Sequence, residues 1–205
     1  PPVIQVEYST LELTNSSVTV TATATDDVSS VTFETPDKVT FNENGSFEFV
    51  AVDEAGNRAT KSAIVNNIDK TNPQITFISP QFDGKRHKSA QITINASDNN
   101  GIRELKYAIV KSGETPDRGS FINCENGQTV EITKVIAETD GEYKVVAIAV
   151  DNAGNSATVS SQNIFIDNTP PTAYISYYPA TRTAQNVIAT ITFDEDAIIT
   201  NNDGL

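Results

Sequence analysis

The chain has 205 residues and a formal net charge of −13, with 27 acidic and 14 basic side chains. Nucleic acids and anionic membrane surfaces are bound through basic patches, so this charge disfavours both as partners. No apolar run approaches the roughly 20 residues of a membrane-spanning helix, so membrane insertion is not expected. Cys124 is the single cysteine, which excludes an intrachain disulfide and a disulfide-stapled secreted scaffold.

Strand patterns fill the first 70 residues. Residues 3–8 predict a first strand, and residues 17–24 alternate apolar and threonine side chains, which is typical of an antiparallel strand with one buried face. Gly56-Asn57 lies between two β-branched runs and predicts a hairpin in which the glycine takes a positive φ angle. Further strands are expected over residues 30–34, 38–41, 46–52 and 60–66.

The same pattern returns along the chain. The turn Asp-Glu-Ala-Gly-Asn of residues 53–57 recurs at residues 151–155 as Asp-Asn-Ala-Gly-Asn. Asp69 and Asp167 each lie 16 residues beyond the first aspartate of these turns. We predict three repeats, which cover residues 1–70, residues 71–168 with an enlarged middle section at 111–138, and residues 169–205.

The predicted architecture is all-β, because no segment shows helical periodicity of useful length and turn signals recur at sandwich spacing. Pro2, Pro73 and Pro171 open the repeats at intervals of 71 and 98 residues, lengths that suit about seven strands each. The third repeat holds too few strands to bury a core. We expect it to rest on the second repeat, to pair with another chain, or to be the N-terminal half of a repeat that this chain leaves incomplete.

The chain begins at Pro1-Pro2 without the pattern of a signal peptide, and we expect it to be an internal part of a longer protein. Its linkers, at residues 68–73 and 166–171, are short and contain proline. Such linkers are stiff. Neighbouring repeats should therefore stack end to end, so that each repeat has the next one as its partner.

The Asp-x-Ala-Gly-Asn turn followed by Ile-Asp-x-Thr-x-Pro resembles the bacterial immunoglobulin-like domains. Residues 186–204, at the start of the third repeat, are similar to the opening of such a domain. The resemblance implies tandem immunoglobulin-like β-sandwiches from a bacterial cell-surface protein or adhesin, or from a secreted multi-domain enzyme. Its motifs indicate the fold far more specifically than they indicate a function.

An immunoglobulin-like topology would bring Asp69, Asp98 and Asp151 to one end of the second repeat, and Asp167 would meet Glu195 at the next junction. Calcium takes about six to eight oxygen ligands, and the resemblance implies calcium at such junctions in some family members. The alternative is turn chemistry alone, because Asp and Asn in tight turns bond their own backbone.

The sequence offers no catalytic constellation. His87 is the only histidine, which disfavours zinc sites and Ser-His-Asp or Cys-His chemistry. We therefore expect no enzyme, but an extracellular stalk or spacer of a bacterial surface or secreted protein, with calcium as the candidate cofactor. Two alternatives stay open: an adhesive module that binds a glycan or host protein through residues 112–128, and an accessory domain of a secreted carbohydrate-active enzyme.

Overall fold

The computed structural model describes residues 1–133 and 139–198, and its regular structure is almost entirely β-strand. The first repeat contains the six strands that its sequence predicts. One antiparallel sheet is formed by β1 (Val3–Tyr8), β2 (Val18–Thr25) and β4 (Lys38–Phe41). The other is formed by β3 (Val31–Phe33), β5 (Gly45–Asp53) and β6 (Arg58–Val65).

These two sheets enclose a hydrophobic core because apolar and polar side chains alternate along their strands. Val18 and Val20 of β2 are fully buried and cluster with Phe49 of β5 and Ala63 of β6. The threonines between them point away from the core. Ile68, at the end of the repeat, joins the same core, so the linker that follows begins at a fixed point.

The second repeat is a larger sandwich, with nine strands among its described residues. One sheet is formed by β7 (Gln74–Ile78), β9 (Ala90–Ser97) and β12 (Gln128–Ile132). The other runs in the order β11 (Ile122–Asn123), β10 (Ile102–Lys111), β13 (Gly141–Asp151), β15 (Ile164–Ile166) and β8 (Arg86–His87), and β14 (Ser156–Ser160) also pairs with β13. The short β8–β15 pair is parallel, and the remaining pairs are antiparallel.

A second core lies between these sheets. β13 is its central strand: Val145, Ala147 and Ala149 are fully buried in the core, and Val146 on the opposite side is also buried. The central position explains why this strand is apolar on both faces. The cores of the first and second repeats are separate clusters, while the exact bounds and number of the repeats stay a prediction.

The enlarged middle section contains a strand that the sequence did not predict. β12 pairs with β9 as β4 pairs with β2 in the first repeat. It escapes prediction because it offers only Val130 and Ile132 as alternating apolar positions. Residues 112–127 add β11 and a 3-10 helix at Arg118–Ser120 beside the edge of β10. Residues 134–138 of the predicted section lie outside the described residues.

The third repeat is represented by one antiparallel hairpin, β16 (Ala173–Tyr178) and β17 (Ile188–Phe193). Within the described residues no other strand pairs with it, and nearly all of its side chains are exposed. Over the same residues, the structure has no helix of the length and apolar character that a membrane span requires.

Candidate functional site

The turn of residues 151–155 is built around a buried carboxylate. Asp151 is 0% exposed. Its Oδ1 accepts hydrogen bonds from the backbone N–H of Gly154 at 2.6 Å and of Asn155 at 2.8 Å. Its Oδ2 accepts from Nδ2 of Asn155 at 2.8 Å. Gly154 has φ +96°, which glycine adopts without steric cost. The Asp, Gly and Asn of the motif are therefore one local structure.

The turn of residues 53–57 repeats this arrangement. Asn57 donates its backbone N–H to Asp53 Oδ1 and its Nδ2 to Asp53 Oδ2, both at 2.8 Å. These bonds, with the Asn57 side-chain amide as the largest contribution, hold the pKa of the Asp53 carboxyl below its ordinary value. Gly56 has φ +84°. The expectation that the motif serves turn geometry is thus met in both copies.

Asp69 of the linker lies against the second turn. Nδ2 of Asn155 donates to the backbone carbonyl of Asp69 at 3.0 Å. The Asp69 carboxylate is itself bonded at both oxygens, Oδ1 by the N–H of Thr71 at 2.9 Å and Oδ2 by Nδ2 of Asn100 at 2.6 Å. These bonds, the one from Thr71 above all, lower the pKa of the Asp69 carboxyl. The linker residue is consequently buried and held from two directions.

The loop between β9 and β10 completes the arrangement. Asp98 Oδ1 accepts the N–H of Asn100 at 2.8 Å, and the carbonyl of Asn100 accepts Nδ2 of Asn152 at 2.6 Å. Gly101 has φ +83°, and a Cβ there would lie 3.0 Å from Nδ2 of Asn152. A larger residue at this position would displace the amide that ties the loop to the second turn.

The predicted sites Asp69, Asp98 and Asp151 come together. We call these three residues the junction cluster. One carboxylate oxygen from each lies within 4.8 Å of the other two, and this is the single such group of three possible ligands among residues 1–133 and 139–198. No ion pair with Lys, Arg or His involves these carboxylates in that part of the chain. Three negative charges thus share one partly buried site without a protein cation.

The spacing of the junction cluster fits a calcium ion. Calcium–oxygen distances of about 2.3–2.6 Å place opposite ligands about 4.6–5.2 Å apart, so no pair of these oxygens, which all lie within 4.8 Å of one another, is too far apart to contact one ion. Asp151 Oδ1 already accepts two hydrogen bonds, whereas Asp151 Oδ2 accepts one, so it is Oδ2 that keeps a lone pair for an ion. Carboxylates are also the hard oxygen ligands that calcium prefers.

The other two predicted metal residues do not join such a cluster. Asp167 Oδ2 lies 3.4 Å from Nη1 of Arg86, and Glu195 is exposed. It is the neighbouring Asp194 that bonds the start of the third repeat, by accepting the N–H of Thr172 at 2.8 Å. The second junction therefore lacks the three-carboxylate geometry of the first among the described residues.

The structure adds Asn15 to the site, which the sequence analysis did not expect there, and assigns contacts to Asn100 and Asn152, which lie in the two loops expected to meet at this junction. Asn15, in the loop between β1 and β2, donates its backbone N–H to the carbonyl of Ala153 at 3.1 Å, which joins the first repeat directly to the second turn. Asn100 and Asn152 hold the loops around the junction cluster. Asn100 and Asn152 lie close to predicted aspartates, which is a usable signal, whereas no local pattern predicts the contact that Asn15 makes with Ala153.

Residues 74–168 match the family model of the bacterial Ig-like domain. This part of the chain is similar to a bacterial Ig-like domain. The matched residues contain all nine strands of the second repeat and two members of the junction cluster, Asp98 and Asp151. Asp69 lies just outside the matched residues, so the linker supplies the third carboxylate to the Ig-like domain from its own N-terminal side.

Two solved structures are similar to the chain beyond this Ig-like domain. One, described as a tetra-tandem repeat in the extending region of a large adhesion protein, has 16% identity and a TM-score of 0.40, and the match covers 94% of this chain and 63% of that one. The other, a chimeric titin Z1Z2–Z1Z2 tandem, has 16% identity and a TM-score of 0.27 and covers 82% of this chain and 100% of that one. A search of the curated proteins gives no match.

Proposed function

We propose that this chain is a rigid spacer segment of a bacterial surface or secreted multi-domain protein, with calcium bound at the junction of its first two repeats. The observation that carries the proposal is the linker, which is hydrogen-bonded to the repeats on both of its sides. A spacer transmits its direction only if successive domains cannot swing about the link between them. The contacts of this link bear directly on that requirement.

On the first side, the linker is part of the first repeat. Ile68 is buried in its core, and the Asn44 side chain bonds both the N–H and the carbonyl of Ile68, at 2.8 and 2.9 Å. The N–H of Asp69 donates to the carbonyl of Thr14 at 2.9 Å. These bonds leave no free hinge before Asp69.

On the second side, Asn155 and Asn100 bond the backbone and the carboxylate of Asp69. Pro73, two positions after Thr71, is buried, and proline restricts the backbone before it as well as its own φ. Only Asn72 and Pro73 thus separate the anchored Thr71 from β7, which begins at Gln74. The direct bond between Asn15 and Ala153 gives the two repeats a second point of attachment.

Calcium would strengthen this junction, because its three carboxylates come from three different segments. Asp69 belongs to the linker, Asp98 to the loop before β10, and Asp151 to the end of β13, where the second turn begins. An ion bound by all three would neutralise their mutual repulsion and join the segments at one point. In this role Asp69 couples the first repeat to the Ig-like domain.

The test is a calcium titration of the full chain by calorimetry, with thermal unfolding as the companion measurement. We expect about one ion per chain. At a calcium concentration of about 100 times Kd, binding stabilises the folded state by about 2.7 kcal/mol, so the melting temperature should rise by on the order of 10 °C.

The critical variant is Asp98→Asn, which removes one charge while its amide oxygen can still accept the N–H of Asn100. Asp26→Asn is the matched control, because Asp26 ends the corresponding strand of the first repeat and bonds the N–H of Val28. We expect Asp98→Asn to abolish the calcium heat and Asp26→Asn to leave it intact. A flat titration of the unaltered chain would overturn the calcium part of the proposal, whereas the rigid junction is measured separately.

A further inference from the structure

The hairpin of β16 and β17 has two faces of different chemistry. Residues that pair directly across the strands share a face. We call one of them the apolar face; it consists of Ala173, Ile175, Tyr177, Ala189, Ile191 and Phe193. We call the other the tyrosine face; it consists of Tyr174, Ser176, Tyr178, Ile188, Thr190 and Thr192.

The apolar face is explained by the fold. When Pro2, Pro73 and Pro171 are aligned, Ile175 and Tyr177 correspond to Val6 and Tyr8, which pack against the first core. Ile175 also corresponds to Phe77, which packs against the second core. This face is therefore the side that a β-sandwich would cover.

The tyrosine face has no such explanation. Tyr174, Ser176 and Tyr178 occupy the positions of Gln5, Glu7 and Ser9 in the first repeat and of Thr76, Ile78 and Pro80 in the second, and all six of these counterparts are exposed. Covering the apolar face would leave the opposite face open. Tyr174 is 58% exposed and Tyr178 is 76% exposed, and only the third repeat has aromatic side chains at these outward positions.

The composition of the tyrosine face favours one kind of ligand. At about 3.3 Å per residue along a strand, the two tyrosines lie roughly 13 Å apart, with Ser176 between them and the hydroxyls of Thr190 and Thr192 on the neighbouring strand. No charged residue belongs to the face. Tyrosine combines a rigid apolar ring with a polar hydroxyl, so its rings can stack on the C–H faces of sugar rings while the hydroxyls bond to sugar hydroxyls.

We propose that the tyrosine face binds a neutral, extended polysaccharide, with Tyr174 and Tyr178 as the two stacking residues. The separation of the rings favours a polymer that spans both over a single sugar. The lack of charge on the face and the net charge of −13 disfavour anionic polysaccharides. This site is separate from the junction cluster and would add binding to a segment that otherwise serves as a spacer.

The test is affinity electrophoresis of the full chain in native gels that contain hydroxyethyl cellulose, glucomannan, dextran or polygalacturonate. We expect at least one of the three neutral polymers to retard the chain, and polygalacturonate not to do so. Tyr174→Ala and Tyr178→Ala should each weaken the apparent affinity on the order of tenfold, a loss of the size seen for central aromatic contacts. Tyr174→Phe and Tyr178→Phe keep the rings and should retain most of the binding.

Tyr177→Ala is the control, because Tyr177 lies on the opposite face of the same strand. It should bind the neutral polymer like the unaltered chain, and the melting curves of all variants should be compared to exclude unfolding. The proposal is overturned if no neutral polymer retards the chain, if polygalacturonate alone does, or if Tyr177→Ala weakens binding as much as the two tyrosine-face variants. None of these outcomes bears on the calcium titration, which uses other residues.

Discussion

The two Asp-x-Ala-Gly-Asn turns share the hydrogen bonds between their Asn and their first Asp but have different surroundings. In both, the Asn donates from its backbone and from its side chain to the first Asp at 2.8 Å. Asn57 is nevertheless exposed, whereas Asn155 is 8% exposed. The difference comes from the linker carbonyl of Asp69 and from the contact of Asn15 with Ala153, which cover the second turn alone.

This comparison separates a local role from a junction role. The bonds from Asn to Asp that both turns share are turn chemistry, whereas the bonds of the second turn to Asp69 and Asn15 belong to the contact between repeats. Each turn variant therefore has a matched control in the other repeat, with the same bond broken in a different environment. The Asp, Asn and Gly variants of the two turns can be compared by differential scanning calorimetry of the full chain.

The largest difference is expected for the aspartates. Asp151→Ala leaves two backbone N–H groups and Nδ2 of Asn155 without their acceptor inside a buried site, and should lower the free energy of unfolding of the second repeat by about 2–4 kcal/mol. Asp53→Ala should cost less in the first repeat, because water can reach the exposed Asn57. Equal losses for the two variants would show that the burial of the second turn has no energetic consequence.

A smaller difference is expected for the asparagines. Asn155→Ala removes the bond to the Asp69 carbonyl as well as the bonds within the turn, whereas Asn57→Ala removes only turn bonds. We expect a loss of about 1–2 kcal/mol for Asn155→Ala. We also expect faster amide hydrogen exchange at Thr71, whose N–H is bonded to the Asp69 carboxylate. Asn57→Ala should leave exchange at Thr71 unchanged, and a change there would contradict the assignment.

The glycines should show almost no difference. Gly56→Ala and Gly154→Ala each place a Cβ at a positive φ, which costs roughly 1–2 kcal/mol. A Cβ at Gly56 would meet nothing within 4 Å, and one at Gly154 would lie at ordinary contact distance, 3.6 Å, from Nδ2 of Asn15. The two losses should agree within about 0.5 kcal/mol. A much larger loss at Gly154 would mean that the repeats are packed more tightly there than this contact indicates.

The smallest effect is the acid dependence of Asp69. Its folded pKa is lower than the ordinary value of 3.8, so its ionised form contributes stability above that value, and the contribution disappears as pH falls through the lower folded pKa. The difference in melting temperature between the unaltered chain and Asp69→Asn should be constant above about pH 5 and should shrink below about pH 4. If the difference in melting temperature between the two chains increased as the pH falls, the result would contradict this prediction.

The sequence predicts the fold well because strand periodicity and turn residues are local signals. The alternation of Val18 to Ala24 and the Gly-Asn turns suffice for the sandwiches, and the spacing of the aspartates leads to the junction cluster once a topology is assumed. β12 is not predicted because its alternation of apolar and polar residues is too short. Asn15 escapes because its importance comes from contact with Ala153, 138 positions away in the chain, and no local pattern encodes that distance.

The central claim, that the first two repeats are held as one rigid body, is tested most directly by pulsed electron paramagnetic resonance. Spin labels would be placed at Ser62→Cys and Ser160→Cys, two exposed positions in β6 and β14, in a Cys124→Ser background with calcium present. We predict one narrow distance distribution, which broadens when Asn155→Ala is added. A broad distribution in the chain with an intact junction, or one that Asn155→Ala leaves unchanged, would contradict the rigid-spacer account.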